Sequence, residues 1–372
     1  MFKTVCAILF SLSAFLFTAQ AVHAASSSET SATVKKTSVK KSPTSKTTAV
    51  KNKNKAKTGQ QARNAGRSRG RLVKKVVIVR GKRKVIYVAA RSRSEGPPVP
   101  SAGDRAGLNH TRDPLELKSN VALVVDEASA QVLLDKNSGV ALPIASITKL
   151  MTGMVVIDAR QDMNEILEIT EADIDHEKRT HSRLRIGSRL TRADLLHIAL
   201  MSSENRAASA LGRNYPGGTP AFVAAMNAKA NELGMNNTRY VDASGLSSRN
   251  VSNASDLAKL VIVASKQPLI RQYSTDTKFI VDTGGHMQQY ANTNHLVTNP
   301  EWDIGMQKTG YISEAGRCLV MQAKIQGRAI VMIFLDSKGK LSRIGDASRV
   351  RQWLAGDKSE VLPKTGSIIP ES

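Results

Sequence analysis

Cysteine is almost missing from this chain of 372 residues, with Cys6 and Cys318 the only two. Cys6 lies in an apolar N-terminal stretch built like a secretory leader. Lys3 is its charged start, Val5 to Phe17 its apolar run, and Val22-His23-Ala24 a small-x-small cleavage site. With residues 1–24 removed, Cys318 stands alone, which excludes an intrachain disulfide and leaves stability to the core. Cys6 also lacks the small residues that a lipoprotein cleavage site needs just before it. The leader is too short for a membrane span and no charged stop follows it. Histidine is scarce and wrongly spaced for a zinc helix. His176 and His181 are five apart, not four, and so fall on different helix faces, which excludes that metal motif. Acidic residues are nearly absent from Ala25 to Glu95, where 21 Lys and Arg meet only Glu29 and Glu95. Of the net charge of +23, most therefore belongs to this segment, and the rest of the chain is close to neutral. Such asymmetry implies contact between the tail and an acidic polymer or surface.

From Ser26 to Arg71 the chain is Ser, Thr, Lys, Asn and Gly with almost no large apolar residue, so it cannot bury enough to fold. Leu72 to Ala90 differs. Val76-Val77-Ile78-Val79 and Val85-Ile86-Tyr87-Val88 flank Arg80-Gly81-Lys82 and predict a β-hairpin. Gly96 to about Arg112 reads as a linker, which closes a basic tail over 25–112. A folded domain is expected over 113–356, with a short tail at 357–372. Within the domain, Val121–Val125 and Gln131–Leu134 predict a strand pair. Helices follow over Leu150–Ala159, Thr191–Met201, Arg206–Leu211, Thr219–Gly234 (started by Thr219 as cap and Pro220) and Ser255–Ser265. Strands return over Gly305–Ile312, Arg317–Ile325 and Ala329–Asp336, and a last helix covers Leu341–Leu354. The order predicts an α+β domain: an antiparallel sheet formed from both ends of the chain, with a helical lobe inserted. The crevice between sheet and lobe is the expected place for a site.

Ser146 sits where the strand region turns into a helix, with Lys149 one turn on. Positions i and i+3 share a helix face, so hydroxyl and amine are able to touch. The helix N-terminus adds free N–H groups and a positive dipole end. This is the outline of an activated nucleophile; taken alone, the same letters describe an N-cap and a surface lysine. Ser203-Glu204-Asn205 falls between two helices, where Ser203 offers a proton-passing hydroxyl and Asn205 an amide able to hold a peptide. Lys308-Thr309-Gly310 falls inside a strand and offers a cation, a hydroxyl and room for a substrate beside the backbone. Chance copies exist at Ser38–Lys41, Ser337–Lys340, Ser248–Asn250 and Lys364–Gly366, but none of these lies on the required kind of element. Cys318 reads as a buried small hydrophobe. Trp302 and Trp353 read as core or as cleft lining, and sequence alone does not separate the two.

Ser-x-x-Lys, Ser-x-Asn and Lys-Thr-Gly in this order form the signature of the penicillin-binding protein and serine β-lactamase superfamily. From about Asn120 to Leu354 the chain resembles low-molecular-mass penicillin-binding proteins. Tyr215-Pro216-Gly217-Gly218, Asp242-Ala243-Ser244-Gly245-Leu246 and Asn292-Thr293-Asn294 add to the likeness. Met201-Ser202-Ser203-Glu204-Asn205-Arg206-Ala207-Ala208 is most similar to the D-alanyl-D-alanine endopeptidase branch, since relatives that remove terminal D-alanine usually carry Gly at 204. Those relatives also have a second β-domain and an amphipathic anchor, for which no room is expected after Leu354.

The resemblance implies a serine DD-peptidase, without metal or cofactor, that acts on peptidoglycan peptides and is acylated by β-lactams. Ser146 would be the nucleophile, Lys149 its base and Ser203 the relay to the leaving nitrogen. Asn205, Lys308, Thr309 and Gly310 would hold substrate, and the oxyanion would lie between the backbone N–H groups of Ser146 and Tyr311. A free lysine titrates near about 10.4, so Lys149 must be lowered by burial and a second cation, for which Lys308 is the candidate. No Glu-x-x-Leu-Asn segment lies between Asn205 and Asn250, which implies slow release of a bound penicillin rather than β-lactamase turnover. The leader implies a periplasmic enzyme. It also makes DNA an unsuitable partner for the tail and leaves anionic envelope polymers or lipids.

Overall fold

The protein is described by a computed structural model over residues 72–79, 82–89 and 100–356. The expected leader, the tail up to Arg71 and the segment 357–372 lie outside the described residues. Runs rich in Val and Ile build an antiparallel pair, β1 (Leu72–Val79) and β2 (Lys82–Ala89), in register from Leu72↔Ala89 to Val79↔Lys82. It belongs to a unit of its own.

In the larger unit, β3 (Ser119–Asp126) and β4 (Val132–Lys136) open the sheet. The chain then leaves for a helical lobe comprising α1 (Thr148–Asp158), α2 (Arg192–Met201), α3 (Asn205–Arg213), α4 (Gly218–Glu232), α5 (Ala254–Ala264) and α6 (Pro268–Thr275). A small hairpin, β5 (Lys278–Asp282) and β6 (Met287–Ala291), follows. The chain returns as β7 (Asp303–Ile312), β8 (Gly316–Ile325) and β9 (Arg328–Ser337) and ends on α7 (Ser342–Gly356). The sheet order is β7-β8-β9-β3-β4, antiparallel throughout, so both ends of the domain build one sheet as expected.

The unbroken apolar run of β3 has a physical reason. All eight of its residues are buried because both sheet faces are covered. With a period of two, Val121, Leu123 and Val125 meet the helical lobe. Ala122 and Val124 point the other way, into a layer with Leu319, Met321 and Phe334 closed by Ala347 and Val350 of α7. Trp302 is buried in that outer layer and Trp353 packs against it, so both tryptophans are core rather than cleft lining. Cys318 is buried, and burial pushes its thiol up to about 12. From Thr148 to Val156 every residue of α1 is buried, as for a helix that is apolar on all sides.

Three expectations change. Residues 101–112, expected as linker, are partly built into the domain. Ser101 caps a one-turn helix (Ala102–Arg105) and donates to Asp336 Oδ2 at 2.6 Å, while Ala102 N donates to Glu314 O at 2.9 Å. Ordered structure thus starts before Asp113. Helix α4 is entered through Gly217, at φ +84, rather than capped by Thr219. The Gly217-Gly218 pair permits a left-handed entry that Thr219 would resist. The β5–β6 hairpin was not anticipated, although Gly284 and Gly285, at φ +92 and +93, carry the turn signal.

Candidate active site

Between the lobe and the edge strand β7 the chain makes a tight turn. Ala145 to Ile147 form a 3-10 turn that runs directly into α1, with Ala145 held at φ +48, an unusual angle for a side-chain-bearing residue. Thr148 Oγ1 donates to Ala145 O at 2.8 Å and steadies the turn. Gly245, at φ +81, packs beneath it so closely that a Cβ there would lie 2.0 Å from Ala145 O. Ser146 is thereby presented at the start of the buried helix.

Lys149 is fully buried at the next turn. Its Nζ lies 3.0 Å from Ser146 Oγ, 2.7 Å from Asn205 Oδ1 and 2.6 Å from Ser244 O. Two of these three partners are carbonyl oxygens, which only accept. A neutral amine has two hydrogens and one lone pair, so both hydrogens go to the carbonyls and the lone pair is left for the Ser146 hydroxyl. Burial lowers Lys149 to about 7, against the pull of Asp242 and Glu204, which favour its charged form. Burial is the largest cause, and the expected second cation, Lys308, is close enough for the two ammonium groups to repel each other. Lys308, on β7 and also buried, is itself pushed well below the usual lysine range by burial first, then by Lys149 and Arg343. Its Nζ donates to Thr309 O at 2.9 Å.

Asn205 opens α3 and is held from both sides. Its Oδ1 takes the Lys149 hydrogen, and its Nδ2 donates to Thr180 Oγ1 at 3.0 Å. Ser203 precedes it at φ +62, a second left-handed residue at the cleft. Among the described residues, no hydrogen bond links Ser203 or Lys308 to Ser146 or Lys149. Thr309 pairs with Thr293 Oγ1 at 2.7 Å, and Thr293 N donates to Met201 O at 3.2 Å, so this pair ties β7 to the end of α2. Gly310 has a role beyond substrate room. A Cβ there would sit 3.0 Å from Ile144 O and 3.1 Å from Ser146 N, so its bareness lets β7 press against the Ser146 turn. Tyr311, next on this edge strand, is half-exposed, with the Arg317 guanidinium over its ring at 4.4 Å.

Sequence reasoning missed three contributors. Asp242 gathers the N–H groups of Ser244, Gly245 and Ser247 and the amide of Asn250, and so fixes the Ser244 carbonyl under Lys149. The Asp-x-Ser-Gly spelling carried that signal as an Asx-type turn before a left-handed glycine. Glu204 caps α3 and accepts from Ser182 at 2.7 Å. Arg343 on α7 is a buried cation that weighs on Lys308, and nothing in its local sequence marked it.

A sheet built from both chain ends, an inserted helical lobe and a serine coupled to a buried lysine between them define a serine hydrolase. The profile of the D-alanyl-D-alanine carboxypeptidase family matches residues 108–339, and the chain belongs to that family. A D-alanyl-D-alanine endopeptidase of Pseudomonas aeruginosa is 46% identical over 250 residues, covering 67% of this chain and 81% of its own length. One from Escherichia coli is 41% identical over 276 residues, covering 74% and 86%. The crystal structure of penicillin-binding protein D2 from Listeria monocytogenes, in its cefotaxime-bound form, matches with a TM-score of 0.59 at 27% identity, over 66% of this chain and all of that one.

Proposed function

We propose that this chain is a D-alanyl-D-alanine endopeptidase that opens peptidoglycan cross-links through an acyl-enzyme. The observation that carries the reading is Lys149 Nζ, 3.0 Å from Ser146 Oγ, with two carbonyl oxygens as its other partners. Ser146 Oγ attacks the D-alanine carbonyl and Lys149 takes its proton. The oxyanion is received by the N–H groups of Ser146 and Tyr311; the approach of β7 to Ser146 N at Gly310 supports that pairing. Ser203 passes that proton on to the leaving nitrogen, and the C–N bond breaks. Asn205, Thr309 and Gly310 line the substrate strand, and Lys308 supplies the cation beside it. Water then releases the acyl group. The relatives at 46% and 41% identity are named endopeptidases, which favours that bond over terminal D-alanine.

The test is intact mass after exposure to a penicillin. The parent is expected to gain one lasting adduct and Ser146→Ala none; an adduct that survives in Ser146→Ala removes the assignment. The family profile's carboxypeptidase activity is the second reading. Cross-linked muropeptide dimers offered beside monomeric pentapeptides decide between them, and cleavage confined to the pentapeptide would favour it.

The reading extends to a periplasmic enzyme whose residues 1–24 are a leader and whose basic segment, 25–112, holds it on anionic envelope polymers or lipids. Deleting Ser26 to Arg93 is expected to weaken envelope binding at low salt and to leave peptidase activity intact. Unchanged binding would sink the tail's role alone.

A further inference from the structure

The segment from Asp175 to Ser182 is a strap that the catalytic reading leaves unused. It touches both walls of the cleft. Lys178 Nζ pairs with Glu314 Oε1 at 2.5 Å, in the turn that follows β7. That turn is itself fixed by Ala102, whose N–H donates to Glu314 O. On the helical side, Ser182 Oγ donates to Glu204 Oε1 at 2.7 Å and Thr180 Oγ1 accepts from Asn205 Nδ2 at 3.0 Å. The strap's own shape is set by Asp175. One carboxylate oxygen accepts from the N–H groups of Glu177 and Lys178, the other from the N–H and the hydroxyl of Thr180, each bond between 2.8 and 3.0 Å. Arg179, at φ +52, is carried through this turn in a left-handed conformation.

The Thr180 hydroxyl has one hydrogen and gives it to Asp175 Oδ2. Its oxygen therefore faces Asn205 as an acceptor, which fixes which end of that amide is which. With Nδ2 turned to Thr180, Oδ1 is turned to Lys149, and that bond is one of the two that leave the Lys149 lone pair to Ser146. Were the amide reversed, an N–H would face the amine and compete for its lone pair.

Building on the proposed acylation of Ser146, we propose that Thr180 is a positioning residue, and that the Asp175–Thr180 turn orients the Asn205 amide so that Lys149 is free to accept the Ser146 proton.

The test is Thr180→Val, which keeps the shape and removes the hydroxyl, beside Thr180→Ser, which keeps the hydroxyl, with a fluorescent penicillin as probe. The acylation rate constant of Thr180→Val is expected to fall about tenfold, the effect of one misdirected hydrogen bond, and Thr180→Ser to stay near the parent. Loss of the Asn205 acceptor also disfavours the ammonium form of Lys149, so the pH midpoint of acylation is expected to move downward in Thr180→Val. The charged groups acting on Lys149 from its surroundings, Glu204, Asp242 and the neighbouring Lys308, are unchanged by the substitution. A purely structural role moves neither the midpoint nor the valine–serine contrast. A parental rate in Thr180→Val, an unmoved midpoint, or a serine variant as slow as the valine one would overturn the proposal. A parent that never acylates would instead overturn the catalytic reading beneath it.

Discussion

Replacing Lys149 by methionine is expected to lower acylation by a penicillin by about 10³-fold and, at neutral pH, to raise the protein's thermal midpoint by a few degrees. The loss follows from removing the base, since general-base assistance accounts for roughly 10²–10⁴-fold. The gain follows from the same burial that makes the base. Lys149 titrates at about 7 in the folded chain and at the ordinary 10.5 in the unfolded one. Between those values the unfolded chain binds more protons, so stability rises with pH across the interval. The full cost is present below about pH 7 and vanishes above about 10.5. Taken alone the shift is worth roughly 5 kcal/mol. Methionine gives up the bonds to Asn205 Oδ1 and Ser244 O, so the net gain is about 1–3 kcal/mol. Calorimetry at pH 6 and pH 9 is the check, with the larger difference expected at pH 6. In the parent, acylation should climb with pH through a midpoint near 7, as the neutral amine forms. A methionine variant no more stable than the parent at pH 6 would show that Lys149 is buried without penalty.

Much of this site is legible from local sequence, for a reason visible in the geometry. Ser146 and Lys149 are one helical turn apart, so their contact is dictated by helix pitch alone. Strand alternation and turn residues likewise determine the return of β7, β8 and β9, which is why the α+β order is recoverable. What escapes is whatever depends on segments far apart in the chain. Arg343 acts on Lys308 only because α7 folds back over the sheet, and Thr180 reaches Asn205, 25 positions further on, across intervening helix and loop. The burial that lowers Lys149 most is a property of the assembled lobe, so its weight beside the neighbouring cation is not legible locally. Residues 101–112 escaped for a related reason. Their polar, Gly-containing composition suits a linker, but Ser101 finds a carboxylate 235 positions away.

Asp242→Ala tests how far the base depends on its support, and the expected effect is large. The Asp242 carboxylate accepts from Ser244 N at 2.7 Å, Gly245 N at 2.6 Å, Ser247 N at 3.0 Å and Asn250 Nδ2 at 3.0 Å. Removing it strands several buried donors at once, a cost of about 3–5 kcal/mol. The turn it holds carries both the Ser244 carbonyl that orients Lys149 and the Gly245 backbone that abuts Ala145 O. Loosening it should therefore free both partners of the nucleophile pair, and acylation should fall at every pH. That last point separates support from charge. Asp242 favours the protonated lysine, so loss of its charge alone would lower the Lys149 midpoint and help acylation at acid pH. A denaturant midpoint close to the parent's, together with faster acylation below pH 7, would mean that Asp242 acts through its field and that the turn stands without it. A lower midpoint with slow acylation throughout the pH range would mean that the carboxylate is the keystone on which both Ser146 and Lys149 rest.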